Sequence, residues 1–256
     1  MIIYEIDSLG KIGSSGSACQ QDYDLASQSA SVSQVASSPH SDSQKKPGMQ
    51  ERIKAIAIDL LIRRGYRGTN FGDIAETLST TRANIHYHFG NKNALVEEII
   101  TDYVNFALAQ FHAIWTSNTS SLTEKIDATV SFNFARYERF NSTTNNDCPW
   151  SLISRMRGDN DALSPKSIAT LRRFASELNT AVRIGVTGAI SRGELASVTP
   201  IDDVVVQIFA IINGAGSITQ NGQGFQRLDE LYRAFLNTTL AAYGAAAKPS
   251  AASIAG

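Results

Sequence analysis

The chain has 256 residues, 43% of them hydrophobic, which is enough for one large or two modest domains with a packed core. Its formal net charge is −1, so the protein as a whole is not a generic polyanion binder, and any nucleic-acid contact must come from a local basic patch. Charged residues make up only 18%, below the usual quarter, partly because the first stretch is rich in serine and nearly uncharged.

Residues 1–47 read as a disordered tail. The segment 10–43 is dominated by Ser, Ala and Gln with almost no aliphatic periodicity, so it cannot bury enough apolar area to offset its ordering entropy. Met49 stands immediately before the first periodic segment, which raises an over-extended translation start. From there Ile53, Ile56, Ala57, Leu60 and Leu61 fall at helical spacing, and Gly65 is a natural stop after Arg63 and Arg64. Asn70 then caps a short helix carrying Ile74, Ala75 and Leu78, with Asp73 placed for a capping-box variant. Ser79, Thr80 and Thr81 break it, and Thr81 caps a third short helix running to about Phe89, ended by Gly90 and Asn91.

A long helix is predicted over 92–115, followed by helices near 122–140, 150–157, 165–192, 201–218 and 225–243. Polar, Gly and Pro clusters separate them, and no strand alternation stands out. The fold class is therefore all-α: a three-helix head at 48–95, a helical domain at 96–244 and a fraying tail at 245–256. No apolar run approaches the roughly 20 residues that span a bilayer. The N-terminus lacks a basic region followed by an apolar one, so the expectation is a cytoplasmic protein with no membrane partner.

Three short helices with a tight turn between the second and third form the scaffold of a helix-turn-helix reader of duplex DNA. Ile74, Leu78, Ile85 and Phe89 would form its core around the small Ala75, leaving Arg82, Ala83, Asn84, His86 and Tyr87 on or near the outer face of helix three. Arg reads guanine, Asn reads adenine, and His or Tyr bonds phosphate. Lys92, at the start of the long helix, favours a phosphate together with the helix N-terminus. Between Met49 and Lys92 seven basic residues stand against four acidic ones, a local net charge of +3.

The run Thr69-Asn70-Phe71-Gly72-Asp73-Ile74-Ala75, then Thr81-Arg82-Ala83-Asn84-Ile85-His86-Tyr87-His88-Phe89-Gly90-Asn91-Lys92-Asn93-Ala94-Leu95, resembles the DNA-binding domain of TetR/AcrR-type transcriptional regulators. The resemblance covers about 48–95. It implies that helix three is the recognition helix, that Arg82, Ala83, Asn84 and His86 match positions meeting DNA, and that Lys92 matches a phosphate-contacting lysine. Asn70, Thr81 and Tyr87 complete the DNA-facing set. Three positions depart from the family pattern. Ser79 stands for the usual turn glycine, at some left-handed strain. Thr80 replaces an apolar turn residue, and His86 replaces a common Tyr, making that contact shorter or sensitive to pH.

The family places an effector pocket between the helices of the second domain. Phe111, Trp115, Phe134, Tyr137, Trp150, Ile153 and Phe174 supply candidate lining for an unknown small molecule, with Asn133, Arg136, Asn179, Arg183 and Asn213 as polar groups that could orient it. The last two helices carry wide apolar faces, including Ile208, Phe209, Ile212, Leu228, Leu231, Tyr232 and Phe235, while Gly214 and Gly216 permit close backbone approach. By the resemblance these faces form a homodimer interface; an intrachain core would predict much the same pattern.

No Gly-rich phosphate loop, nucleophile elbow or paired carboxylates with a His are visible, so no enzyme and no cofactor is expected. Cys19 and Cys148 lie far apart, without a CxxC pair or a Cys/His cluster at metal spacing, which argues against a disulfide framework or a zinc site. The leading reading is a ligand-responsive repressor that binds a palindromic DNA operator as a homodimer. The alternative is a helical protein-interaction module without sequence-specific DNA binding.

Overall fold

The computed structural model describes residues 47–142, 148–220 and 224–244. The tails expected at 1–47 and 245–256 lie outside the described residues, apart from Pro47. The described residues form α1 (Met49–Gly68), α2 (Phe71–Thr77), α3 (Arg82–Phe89), α4 (Lys92–Trp115), α5 (Leu122–Asn141), α6 (Leu152–Gly158), α7 (Pro165–Ser191), α8 (Ile201–Thr219) and α9 (Gly224–Tyr243). A short 3-10 turn, Asn160–Ala162, follows α6.

The helix starts follow local chemistry. Asn70 accepts from the backbone N–H groups of Gly72 and Asp73 at 2.7 and 3.1 Å. Thr81, Asn91, Ser121, Ser151 and Ser164 cap the helices that follow them in the same way, and Pro165 supplies a preset first turn for α7. Asp73 does not close a capping box; its carboxylate takes the Arg64 guanidinium at 2.9 Å instead. Gly65 stops the first run of α1, leaving helical geometry at φ +74°, and a further short turn carries the segment on to Gly68.

α1, α2 and α3 make the head, closed over Ile53, Ala57, Leu61, Phe71, Ile74, Ile85 and Phe89, all buried, with Leu78 half-buried at the edge. α4 is the rod that joins the head to the second domain. Lys54 on α1 grips it, with Glu98 and Asp102 both at 2.8 Å. Along its far half α4 packs on α7, where Gly185 makes the close approach possible: a Cβ there would stand 2.6 Å from Trp115 Cε3 and 2.9 Å from the Trp115 carbonyl oxygen. Lys125, buried on α5, donates to the carbonyls of Ile114 and Ser117 at 3.1 and 2.6 Å, a cation at the end of α4 where the helix dipole favours it.

α8 packs between α7 and α9. It is long and apolar enough to cross a membrane by length and composition, contrary to the sequence reading, and only 33% of its most apolar stretch is buried by the rest of the chain. Where α9 ends, Ala196 donates to the Tyr243 carbonyl at 2.8 Å and ties it to the α7–α8 connection. Cys148 is buried, and its backbone N–H donates to the Asn141 side-chain oxygen at 2.9 Å; Cys19 lies outside the described residues.

Candidate nucleic-acid interface and effector domain

The geometry of the reader is set by four residues of chain between α2 and α3. Ser79 turns at φ +51°, the one non-glycine with positive φ among the described residues. The turn lets the Thr80 N–H reach back to the Ala75 carbonyl at 2.9 Å, which closes α2 and sends α3 across it. Thr80, polar where an apolar residue suits a core, uses its hydroxyl instead: it accepts from the Asn84 side-chain amide at 3.0 Å.

Across α3 the alternation is sharp. Ile85 and Phe89, four apart, face the head core, while Arg82, Ala83, His86 and Tyr87 face outward. Tyr87 is 84% exposed, an aromatic ring presented to solvent on a helix with a well-packed opposite face. Arg82 lies over the bare backbone of Gly72, where a Cβ would stand 2.5 Å from Nη2. That glycine is a positioning residue the sequence reading missed, although it stands in the quoted motif.

Other expected contacts arrive already engaged. Asn84 is half-buried, its amide nitrogen committed to Thr80. His86 Nδ1 lies 2.7 Å from the Gly90 carbonyl, and its ring meets Phe71 edge-on with centroids 4.8 Å apart. A carbonyl only accepts, so Nδ1 carries the proton there, and Nε2 becomes a donor only when the ring is charged. Asn70 and Thr81 are exposed, but their side-chain oxygens serve as caps. Lys92 is half-buried, with its ammonium 4.1 Å from the centre of the Tyr66 ring. Desolvation lowers its pKa, and the carboxylate of Asp159 opposes that shift.

The head is fastened to the second domain at the kink of α1. The Tyr66 N–H donates to Asp159 Oδ2 at 2.7 Å, and Arg67 pairs with Asp161 at 2.6 Å. On another side of α1, Arg139 of α5 meets Asp59 at 2.8 Å. In the sequence the Gly158-Asp159-Asn160-Asp161 run reads only as a helix break; its role in joining the domains is visible only in three dimensions.

The candidate effector residues separate into groups. Phe111 meets Phe174 edge-on at 6.1 Å, and Tyr137 meets Trp150 at 6.4 Å. Buried Arg136 lies near both sets: its guanidinium stands 5.1 Å from the ring centres of Phe132 and Trp150, and it donates to the Tyr103 hydroxyl at 2.6 Å. Ile153 is buried in the same core. Trp115 is fully buried where Gly185 lets α7 approach it. Phe134 faces outward at 44% exposure and touches Phe225. Two clefts open on the surface of this domain. One of about 240 Å³ has Trp150 in its wall, and another of about 340 Å³ has Phe134 and Tyr137; Phe111, Trp115, Ile153 and Phe174 line neither.

Of the expected dimer residues, Ile208, Ile212, Leu228, Tyr232 and Phe235 are buried within the single chain, where α8 and α9 cover α5, α7 and each other. Asn133 donates to the Tyr232 hydroxyl at 3.2 Å, and burial pushes the pKa of that phenol far up. Gly216 gives close approach to Ser151 and Ser154 of the same chain. Phe209 and Leu231 are half-buried, while Val206 at 56% exposure and Ala210 face outward.

The comparisons with known proteins follow this division. Residues 53–99 match the family model described as "Bacterial regulatory proteins, tetR family". The match to that family model is confined to the head and the start of α4. It is 28% identical over 83 residues to the HTH-type transcriptional repressor KstR2 of Rhodococcus jostii, covering 32% of this chain and 41% of that protein. Over 60 residues it is 35% identical to the biofilm operon icaADBC HTH-type negative transcriptional regulator IcaR of Staphylococcus aureus, 22% of this chain and 32% of that one. The chain thus aligns with only 32% to 41% of these curated relatives' length.

Solved structures match the fold over nearly the whole described length. The reduced form of E. coli NemR superposes with a TM-score of 0.64 at 13% identity, over 78% of this chain and 98% of that one. A TetR transcriptional regulator from Legionella pneumophila gives 0.60 at 20% identity, over 75% and 98%. At these identities the likeness is one of fold.

Proposed function

We propose that this chain is a tetR-family DNA-binding transcriptional regulator, a homodimeric repressor that leaves its operator when a small molecule binds the second domain. The observation that carries the reading is the outward face of α3, where Arg82, Ala83, His86 and Tyr87 are exposed on a helix fixed from behind by Ile85 and Phe89. A helix so presented enters a major groove, with Arg82 placed for a base edge and Lys92 near the flanking phosphate.

Dimerisation is supported by α8, which leaves Val206 at 56% exposure beside the exposed Ala210 and the half-buried Phe209. An apolar strip of this kind on a helix is more stable in water when something covers it. A second copy laid on Val206, Phe209 and Ala210 in two-fold fashion would cover it and set two copies of α3 toward successive grooves, roughly 34–36 Å apart. A protein reading duplex operators in this way works in the cytoplasm.

The test is selection of bound genomic fragments, followed by titration of the best fragment against the purified chain. The wild type should bind a palindromic fragment far more tightly than scrambled duplex, with affinity falling steeply as salt rises. Arg82→Ala should lose about 10- to 100-fold on that fragment alone. Indifference to every duplex at low salt would end this reading.

A further inference from the structure

Thr80 sits in the α2–α3 turn with its backbone pinned. Its N–H donates to the Ala75 carbonyl at 2.9 Å, and the Ser79 N–H before it donates to the Glu76 carbonyl at 3.0 Å. The hydroxyl is therefore held beside the first turn of α3, where it accepts from the Asn84 side-chain amide nitrogen at 3.0 Å. Asn84 is pinned from its own side as well. Its backbone N–H meets the Thr81 hydroxyl at 3.1 Å, and the next residue, Ile85, is fully buried in the head.

Asn84 is half-buried, while Ala83 before it and Tyr87 one turn on are exposed, so it lies at the edge of the outward face of α3. An asparagine amide has two ends of nearly equal shape and opposite sense: the oxygen accepts and the nitrogen donates. An amide free to flip can serve either an amino group or a carbonyl on a base edge. Here a flip would cost the bond to Thr80, and the amide oxygen meets no donor among the described residues. In the major groove the amino groups belong to adenine and cytosine, the carbonyls to guanine and thymine.

We propose that Thr80 is a positioning residue for base choice: by holding the Asn84 amide nitrogen it leaves the oxygen to the groove. The helix α3 then selects adenine or cytosine, the bases with a major-groove amino group, at one operator position. A half-buried hydroxyl is well placed only when it is bonded, and valine would fill the same space in the turn. The hydrogen bond to Asn84 is what separates the two residues. This selection rests on the regulator reading above, to which it adds the atom that reads.

The experiment takes the tightest fragment from the genomic selection and replaces each base pair in turn by the other three. Every duplex is titrated against the full chain. At one position adenine or cytosine should bind about 10-fold tighter than guanine or thymine. Asn84→Ala should erase that preference there and nowhere else. Thr80→Val, which keeps the shape and loses the hydroxyl, should shrink it to about threefold or less, and Thr80→Ser should retain it.

A preference for guanine or thymine at the position sensitive to Asn84, or the absence of any such position, overturns the assignment. So does a preference that survives Thr80→Val. If Thr80→Val weakens all duplexes equally, scrambled ones included, Thr80 serves only the shape of the turn and the proposal falls. Any of these results in a chain that still selects fragments leaves the regulator reading standing, whereas indifference to every duplex removes both.

Discussion

The ammonium of Lys92 rests 4.1 Å above the centre of the Tyr66 ring, at the first residue of the helix that joins the two domains. The ring shields a cation that stands at the positive end of a helix dipole, an unfavourable place that the Asp159 carboxylate offsets only in part. A phosphate supplies a further anion, and a lysine stem is long enough to swing from ring to phosphate. Lys92→Ala should therefore weaken binding to operator and scrambled duplex alike, and reduce the slope of log affinity against log salt by about 0.9. An unchanged slope would place Lys92 outside the interface.

Ser79 holds φ +51° in the α2–α3 turn while its side chain is exposed. An L-residue in that region costs roughly 1–2 kcal/mol, and glycine gives back part of the gain through the entropy of the unfolded chain. Ser79→Gly should raise stability by about 0.5–1 kcal/mol, and Ser79→Val should lower it. Urea titration followed by circular dichroism reads both. A destabilised glycine variant would mean that the serine hydroxyl makes a contact outweighing its strain.

His86 has one ring nitrogen committed to the Gly90 carbonyl, so the neutral ring offers a phosphate no second donor. In His86→Gln the side-chain amide keeps a donor free, so the variant should bind operator at least as tightly as wild type in a gel-shift titration. A clear loss of affinity would show that the imidazole itself makes the contact.

Gly185 faces Trp115 without room for a methyl group. Alanine is the better helix former by about 1 kcal/mol, which alone would stabilise α7. The clash decides the sign, because one of the atoms met is the Trp115 backbone carbonyl, which has no rotamer to change. Gly185→Ala should cost about 1–3 kcal/mol and lower Tm. A Tm equal to wild type would show that α4 and α7 can move apart freely.

The order and extent of the helices were legible in the sequence because their signals are local. Asn70, Thr81 and Pro165 act on the turn they begin, and apolar residues at helical spacing mark one face of one helix. The outward set on α3 was legible for the same reason, since Ile85 and Phe89 fix which side is inner. Even the strain at Ser79 could be anticipated from the motif and the residue type.

Tertiary structure alone decided what those faces meet. Tyr232 and Ile208 show the same periodicity whether a neighbouring helix or a second chain covers them, and the fold gives them to its own core. Trp115 packs on Gly185, 70 positions along the chain, a contact that no local pattern announces. Asp159 and Tyr66 are separated by 93 residues, so nothing local announces their hydrogen bond. Periodicity encodes which side of a helix is apolar; its partner depends on how distant segments share the limited buried volume, and that is settled only when the whole chain packs.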